Sequence, residues 1–146
     1  MAITSAICNS FKQEILEAEH NFTATTGNTF KLALFTSSAT LGASTTAYSS
    51  SNEITNTSGT AYTAGGKALT SVTPTLDSST AVCVFAYVSW KSASFTDNGC
   101  LIYNDSHSTD ASVCAVAFGG DKTVSSGTFT IQFPAAAATT AIIRIA

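Results

Sequence analysis

The run Thr80–Trp90, reading Thr-Ala-Val-Cys-Val-Phe-Ala-Tyr-Val-Ser-Trp, constrains the chain more than any other stretch. Successive side chains of a strand point to opposite faces. One alternate set is Val82, Val84, Ala86, Val88 and Trp90; the other is Ala81, Cys83, Phe85, Tyr87 and Ser89. Both faces are largely apolar, and such a strand needs cover on both sides. Its β-branched and aromatic residues favour a pleated backbone over a helix. The expectation is the middle strand of a two-layer β stack.

The rest of the chain supplies neighbours for it. Thr29–Thr36 alternates Phe30, Leu32 and Leu34 with Lys31, Ala33 and Phe35. Gly65-Gly66 introduces a strand over Lys67–Thr73, which Pro74 ends because it cannot donate to a ladder. Asp77-Ser78-Ser79 turns the chain into the central run. Ala93–Thr96 and Cys100–Tyr103 flank Asp97-Asn98-Gly99, where Asn-Gly signals a tight turn. Ser112–Phe118 reads as a strand, Gly119-Gly120-Asp121 as a turn, and Ser125-Ser126-Gly127 leads into Thr128–Phe133. Pro134 stops that strand, and Ala141–Ile145 forms the last one. About eight short strands with regular turn signals predict a mainly β fold, an antiparallel β-sandwich, jelly-roll-like or related. Strands do not alternate with helices, which argues against a parallel α/β sheet.

One amphipathic helix is expected in residues 1–20, capped by Thr4 or Ser5 and running to Ala18 or His20. Ile7, Phe11 and Ile15 recur at helical spacing, widened by Cys8 and Ala18. Such a stripe packs on a core or docks to a partner. Residues 37–66 form a long polar region in which Leu41, Tyr48, Ile54 and Tyr62 are widely spaced anchors. Loops of this length inside a domain tend to carry function. Ile7, Phe11, Ile15, Leu41, Tyr48, Ile54 and Tyr62 are therefore the candidate partner-contact residues.

The chain of 146 residues suits a single domain spanning 1–146. Charged residues are only 10% of it, against roughly a quarter in ordinary soluble domains. A surface built on Ser and Thr hydroxyls does little to repel copies of itself, which suits a homo-oligomer or a subunit of an assembly. Lys12, Lys31, Lys67, Lys91, Lys122 and Arg144 are scattered, whereas nucleic-acid binding needs cations gathered on one face. No apolar run of membrane-spanning length exists, and the N-terminus lacks the pattern of a secretory signal. Synthesis and use in the cytosol, or exit without a signal, are expected. Cys8, Cys83, Cys100 and Cys114 show no zinc-like spacing. They read as buried thiols, with a Cys83–Cys114 bridge open if their strands face one another.

No catalytic constellation emerges, and no catalytic, cofactor-binding or metal residue is assigned. Only His20 and His107 can serve as a base for a hydrolytic triad, and no G-x-S-x-G elbow is present. His20 ends the helix, and His107 lies in a solvated turn sequence. Asp77, Asp97, Asp105, Asp110 and Asp121 all sit in turn-like stretches, leaving Glu53 as the other candidate carboxylate. Asn104, Asp105 and Asp110 lack the calcium-loop pattern, and Gly65-Gly66-Lys67 lacks the rest of a phosphate loop. Asn21-Phe22-Thr23, Asn56-Thr57-Ser58 and Asn104-Asp105-Ser106 match the N-glycosylation pattern, which chance supplies in a chain this rich in Ser and Thr. Trp90, Tyr87 and Tyr103 form a sugar-stacking platform if exposed and core aromatics if not.

Several blocks carry a resemblance. They are Ala2–Cys8 with Ser10-Phe-Lys-Gln-Glu14, Phe30–Leu41, Tyr62-Thr-Ala-Gly-Gly66, and Ile131-Gln-Phe-Pro134 with Ala141–Ala146. In this order they resemble a group of small virion structural proteins of tailed bacteriophages, over nearly the whole chain. The resemblance implies a non-enzymatic structural protein, assembled in the host cytoplasm and residing in the virion. Its implied partners are the major capsid protein or other virion proteins, and copies of itself, as in a trimer. Neither nucleic acid nor membrane is an expected partner. On the particle, a decoration or cement protein braces the outer head surface. The alternative is a tail or fibre component whose sandwich binds a host receptor in the manner of a lectin.

Overall fold

The computed structural model describes residues 2–55 and 59–146. The run Phe-Lys-Leu-Ala-Leu-Phe becomes β2 (Phe30–Phe35), and its alternation splits as a pleat requires. Phe30, Leu32 and Leu34 enter one core cluster, while Ala33 and Phe35 enter a second on the opposite face. Burying each large side chain fully stabilises the fold by about 1.5–3 kcal/mol relative to exposure. This strand, covered on both faces, lies next to the equally buried stretch Cys100–Asn104 of β6 (Val88–Asn104).

The strand β6 forms a long antiparallel hairpin with β7 (Ser112–Ile131). Together with β1 (Ala6–Ile7) and β3 (Lys67–Ala68) they make a five-stranded sheet in the order β1-β7-β6-β2-β3. A second sheet contains β4 (Thr75–Asp77), β5 (Thr80–Cys83) and β8 (Ile143–Ile145), in the order β4-β5-β8. All strand pairings are antiparallel. The fold is mainly β, with about eight strands in two sheets and one short N-terminal helix, as the sequence pattern predicts.

The central run behaves differently from the expectation. Thr80–Trp90 is not one strand: it begins as β5 in the small sheet and ends as the start of β6 in the large one. Between them Phe85 makes a single bridge to Ser71. The segment crosses from sheet to sheet, so Cys83, Phe85, Val88 and Trp90 all join one shared core, while Val82 is buried on the other face of β5 and Tyr87 turns out to solvent. Those four are buried by facing one core from two sheets in turn.

Two turn signals also fail. Asn98-Gly99 lies inside β6. Gly119-Gly120-Asp121 lies inside β7, in an irregularity where four residues, 118–121, oppose Asn98 alone. The Asn98 amide spans this gap by donating to Asp121 Oδ1 at 2.9 Å. Gly119 and Gly120 have φ of 76° and 140°, which lets the strand bulge without ending. The signal Asp77-Ser78-Ser79 does turn the chain, joining β4 to β5 with Ser78 at φ 58°. The strand predicted over Lys67–Thr73 shrinks to β3, and the last strand to β8.

The helix is shorter than its amphipathic pattern. It spans α1 (Asn9–Leu16), because the residues before it are taken by sheet partners. Ile3 bridges Leu41, and Ala6 and Ile7 pair with Ala115 and Cys114. Thr4 and Ser5 cap nothing; the Ser5 hydroxyl accepts from the Ala117 N–H at 2.9 Å. Cys8 occupies the N-cap without a capping side-chain bond. At the other end Ala18, at φ 61°, turns the chain out of the helix before His20.

Candidate functional site

The described residues of 37–66 cover the large sheet, and the buried Glu53 carboxylate is one of their ties to it. Glu53 Oε1 accepts from the Tyr62 hydroxyl at 2.6 Å and from the Gly65 N–H at 2.7 Å. Its Oε2 accepts from the Tyr48 hydroxyl at 2.6 Å. The Tyr62 oxygen in turn accepts from the Leu34 N–H of β2 at 2.9 Å. Tyr48 stacks on Tyr103 of β6 at 4.6 Å, and the Tyr103 hydroxyl donates to the Gly65 carbonyl at 2.7 Å. Burial first, then the bonds to Glu53, push the Tyr48 and Tyr62 phenols well above the ordinary tyrosine range. Each phenol keeps its proton and spends it on Glu53, so this is a tether.

A second polar cluster joins the end of α1 to the loop 105–111. Asn104 is fully buried, and its amide donates to Asn28 Oδ1 and to His20 Nδ1, both at 3.1 Å. With Nδ1 accepting, the His20 proton sits on Nε2, 3.4 Å from Glu14 Oε1. The His20 ring is stacked on His107 at 6.1 Å, and His107 Nε2 lies 3.1 Å from Glu19 Oε2. Burial lowers the His20 pKa, and Glu14 works against that fall. The two histidines that sequence analysis weighed as bases therefore lie together, each engaged by its own glutamate. Among the described residues neither has a serine partner in its hydrogen bonds.

The thiols and one aspartate are enclosed, whereas Asp77, Asp105 and Asp121 are exposed and Asp110 is half-buried. All four cysteines are free and buried, with no disulfide. Burial raises Cys83 to about 11 and Cys114 to about 12, and holds Cys100 well above its usual range. Asp97 is wholly buried, and neither carboxylate oxygen has a hydrogen-bond partner among the described residues. Burial, reinforced by Asp121, pushes it up to about 7. Among the described residues no group of three His, Cys, Asp or Glu side chains could hold a metal ion. Among them, too, no helix is long and apolar enough to cross a membrane.

Of the candidate contact residues, Phe11, Ile54 and Tyr62 belong to the protein's own core. Ile7 and Ile15 are half-buried against that core, and Leu41 and Tyr48 against the second cluster. Trp90 and Tyr103 are buried, so the sugar platform they would form with Tyr87 is not assembled. Of the three glycosylation patterns, Asn56-Thr57-Ser58 lies outside the described residues.

One exposed apolar surface lies beside the predicted contact residues Phe11 and Ile15 and extends to residues outside that set. Leu16, Leu76 and Ile145 are 89%, 72% and 57% exposed. The register of the small sheet sets Leu76, Ala81 and Ile145 side by side on one face. Ala81 and Ile145 also line a groove of about 430 Å³ whose other wall includes Phe11, Ile15 and Ala18 of the α1 region. Leu76 extends that row outward, and Leu16 follows Ile15 on the helix. The one sequence signal was Ile143 and Ile145 alternating with Arg144; Leu76, isolated among polar residues, gave none.

No protein-family model, curated protein or solved structure matches this chain.

Proposed function

We propose that the chain is a non-enzymatic structural protein of a tailed-bacteriophage virion, a decoration or cement protein on the outer head surface. The observation that carries the reading is the apolar row Leu76–Ala81–Ile145 beside the groove under α1. Contiguous exposed apolar residues of this kind mark contact surfaces. The lone charged side chain of β8, Arg144, points to the opposite face of the small sheet. On this reading Glu53, bonded to two tyrosines, His20, bonded to Glu14 and Asn104, and the buried thiols serve the fold. A cement protein is repeated many times on a particle, so each copy needs only modest interface energy.

Deleting the N-terminal residues is a poor test, since Ile3, Cys8 and Phe11 are core. The informative experiment adds purified, labelled protein to particles lacking it and locates the label by electron microscopy. Label on the head, lost with Leu76→Glu or Leu16→Glu in a chain that keeps its strand content, supports the reading. Label confined to the tail favours the fibre alternative, and no attachment at all refutes both.

A further inference from the structure

The hairpin β6–β7 outruns its sheet. On its outer side β7 pairs with β1 at Cys114 and Ala115 only, and the Ala117 N–H is taken by Ser5. Beyond that, β7 continues to Ile131 paired on one side only, with β6. Among the described residues no other backbone segment is hydrogen-bonded to this outer edge. Natural proteins blunt such edges with charge, proline or a bulge. Beyond Ala117 two bulges interrupt β7, at 118–121 and at Ser125-Ser126, and Lys91-Ser92 of β6 bulges opposite Thr128. After the second, Gly127-Thr-Phe-Thr-Ile131 runs free, with neither a charge nor a proline.

This segment is two-faced. Thr128 and Thr130 are exposed on one side. Phe129 and Ile131 turn the other way, onto a cleft of about 570 Å³ shared with Val116, Phe118, Phe133 and Ile142. We propose that the outer edge of β7, residues 127–131, pairs antiparallel with the same edge of a second copy, about a two-fold axis near Phe129. The occupant is a second copy because the segment is complementary to itself. A two-fold sets Thr128 opposite the partner chain's Thr130 and the two Phe129 side chains opposite each other, both favourable cross-strand pairs. It brings no like charges together, and it places both apolar clefts on the same side of the joined sheet. Five residues a side exchange about five backbone hydrogen bonds, roughly half the number in a standard interface. The two clefts, each lined by Lys122 and Gln132 as well as by apolar side chains, add contact beside these bonds.

The inference concerns the isolated chain and does not rest on the virion reading. A monomeric protein that still labels heads would overturn this proposal and leave that one standing. The test is sedimentation equilibrium of the full chain between about 1 µM and about 1 mM. The wild type is expected to dimerise, and Thr128→Lys with Thr130→Lys to weaken the dimer about tenfold or more, through like charges set opposite. The matching pair Thr128→Glu with Thr130→Glu weakens it alike, and mixing the two variants restores a heterodimer. Circular dichroism establishes that each variant is folded. A wild type that stays monomeric throughout, a dimer indifferent to the lysines, or a mixture that fails to recover overturns the proposal.

Discussion

Tyr62 donates its hydroxyl proton to Glu53 Oε1 at 2.6 Å, and both residues belong to the Ser- and Thr-rich region that packs on the large sheet. The same oxygen of Tyr62 receives the Leu34 N–H, so one phenol satisfies a backbone donor and a carboxylate together. Tyr62→Phe removes both bonds and leaves a buried N–H and a buried carboxylate short of partners. Hydrogen bonds to charged groups contribute about 1.5–3 kcal/mol, and an unsatisfied buried group costs about as much again. The variant should lose roughly 2–4 kcal/mol by urea denaturation. A loss below about 0.5 kcal/mol, the level of an ordinary surface change, would mean that the tether contributes nothing.

Gly99 is held as glycine by the Val116 carbonyl and by Ile3. A Cβ at position 99 would lie 2.8 Å from two Ile3 side-chain carbons and 2.6 Å from the Val116 carbonyl oxygen. Gly99→Ala should therefore cost about 1–3 kcal/mol, as overpacking does in a filled core. Ile3→Ala should relieve part of that cost, so that the double variant is less destabilised than the sum of the single ones. Strict additivity in a denaturation cycle would place the strain at Val116 alone.

This contact also explains why part of the fold was not legible in the sequence. Asn98-Gly99 carries the residues of a tight turn, but the glycine serves a close approach from a residue far away in the chain. Nothing local to Asn98 distinguishes the two uses. Thr80–Trp90 misleads for a related reason: alternation shows which side chains are buried, not whether one sheet or two bury them. What was legible was periodic and local. β2 and its two faces and the turn at Ser78-Ser79 follow from residue spacing, whereas β7 ends at Ile131, short of the stop expected at Pro134. Of the exposed apolar row, Ala81 was assigned to the core, and Leu76 and Ile145 look ordinary until the register of three strands aligns them. Glu53 stood out only as a carboxylate outside a turn; its phenol partners were noted as anchors, and only the fold joins them.

The cysteines give a test of enclosure. Thiolate is the reactive form, and burial holds Cys83, Cys100 and Cys114 far from ionisation at neutral pH. Native protein should react with an aromatic disulfide reagent at least about a hundredfold more slowly than protein in denaturant, where all four thiols respond. Fast labelling of the native chain at near-neutral pH would show that the core opens readily.

Two buried groups set opposing pH limits on stability. Asp97 titrates near 3.8 in the unfolded chain and at about 7 in the fold, because burial and Asp121 disfavour its charge. Between these values the fold binds the extra proton, so stability falls as pH rises through this window. His20 acts in the other direction. Burial lowers its pKa, so the unfolded chain takes up a proton near 6.5 before the fold does, and stability falls as pH drops below that value. Asp97→Asn removes the first limb and leaves the second. Relative to wild type, it should gain roughly 3 kcal/mol on moving from about pH 5 to about pH 8, since one pKa unit corresponds to about 1.4 kcal/mol. His20→Gln should flatten the acid limb and leave the alkaline one in place. Urea midpoints at several pH values measure both. A wild-type midpoint that does not change over this range, with Asp97→Asn running parallel to it, would show that the buried carboxyl titrates like an exposed one.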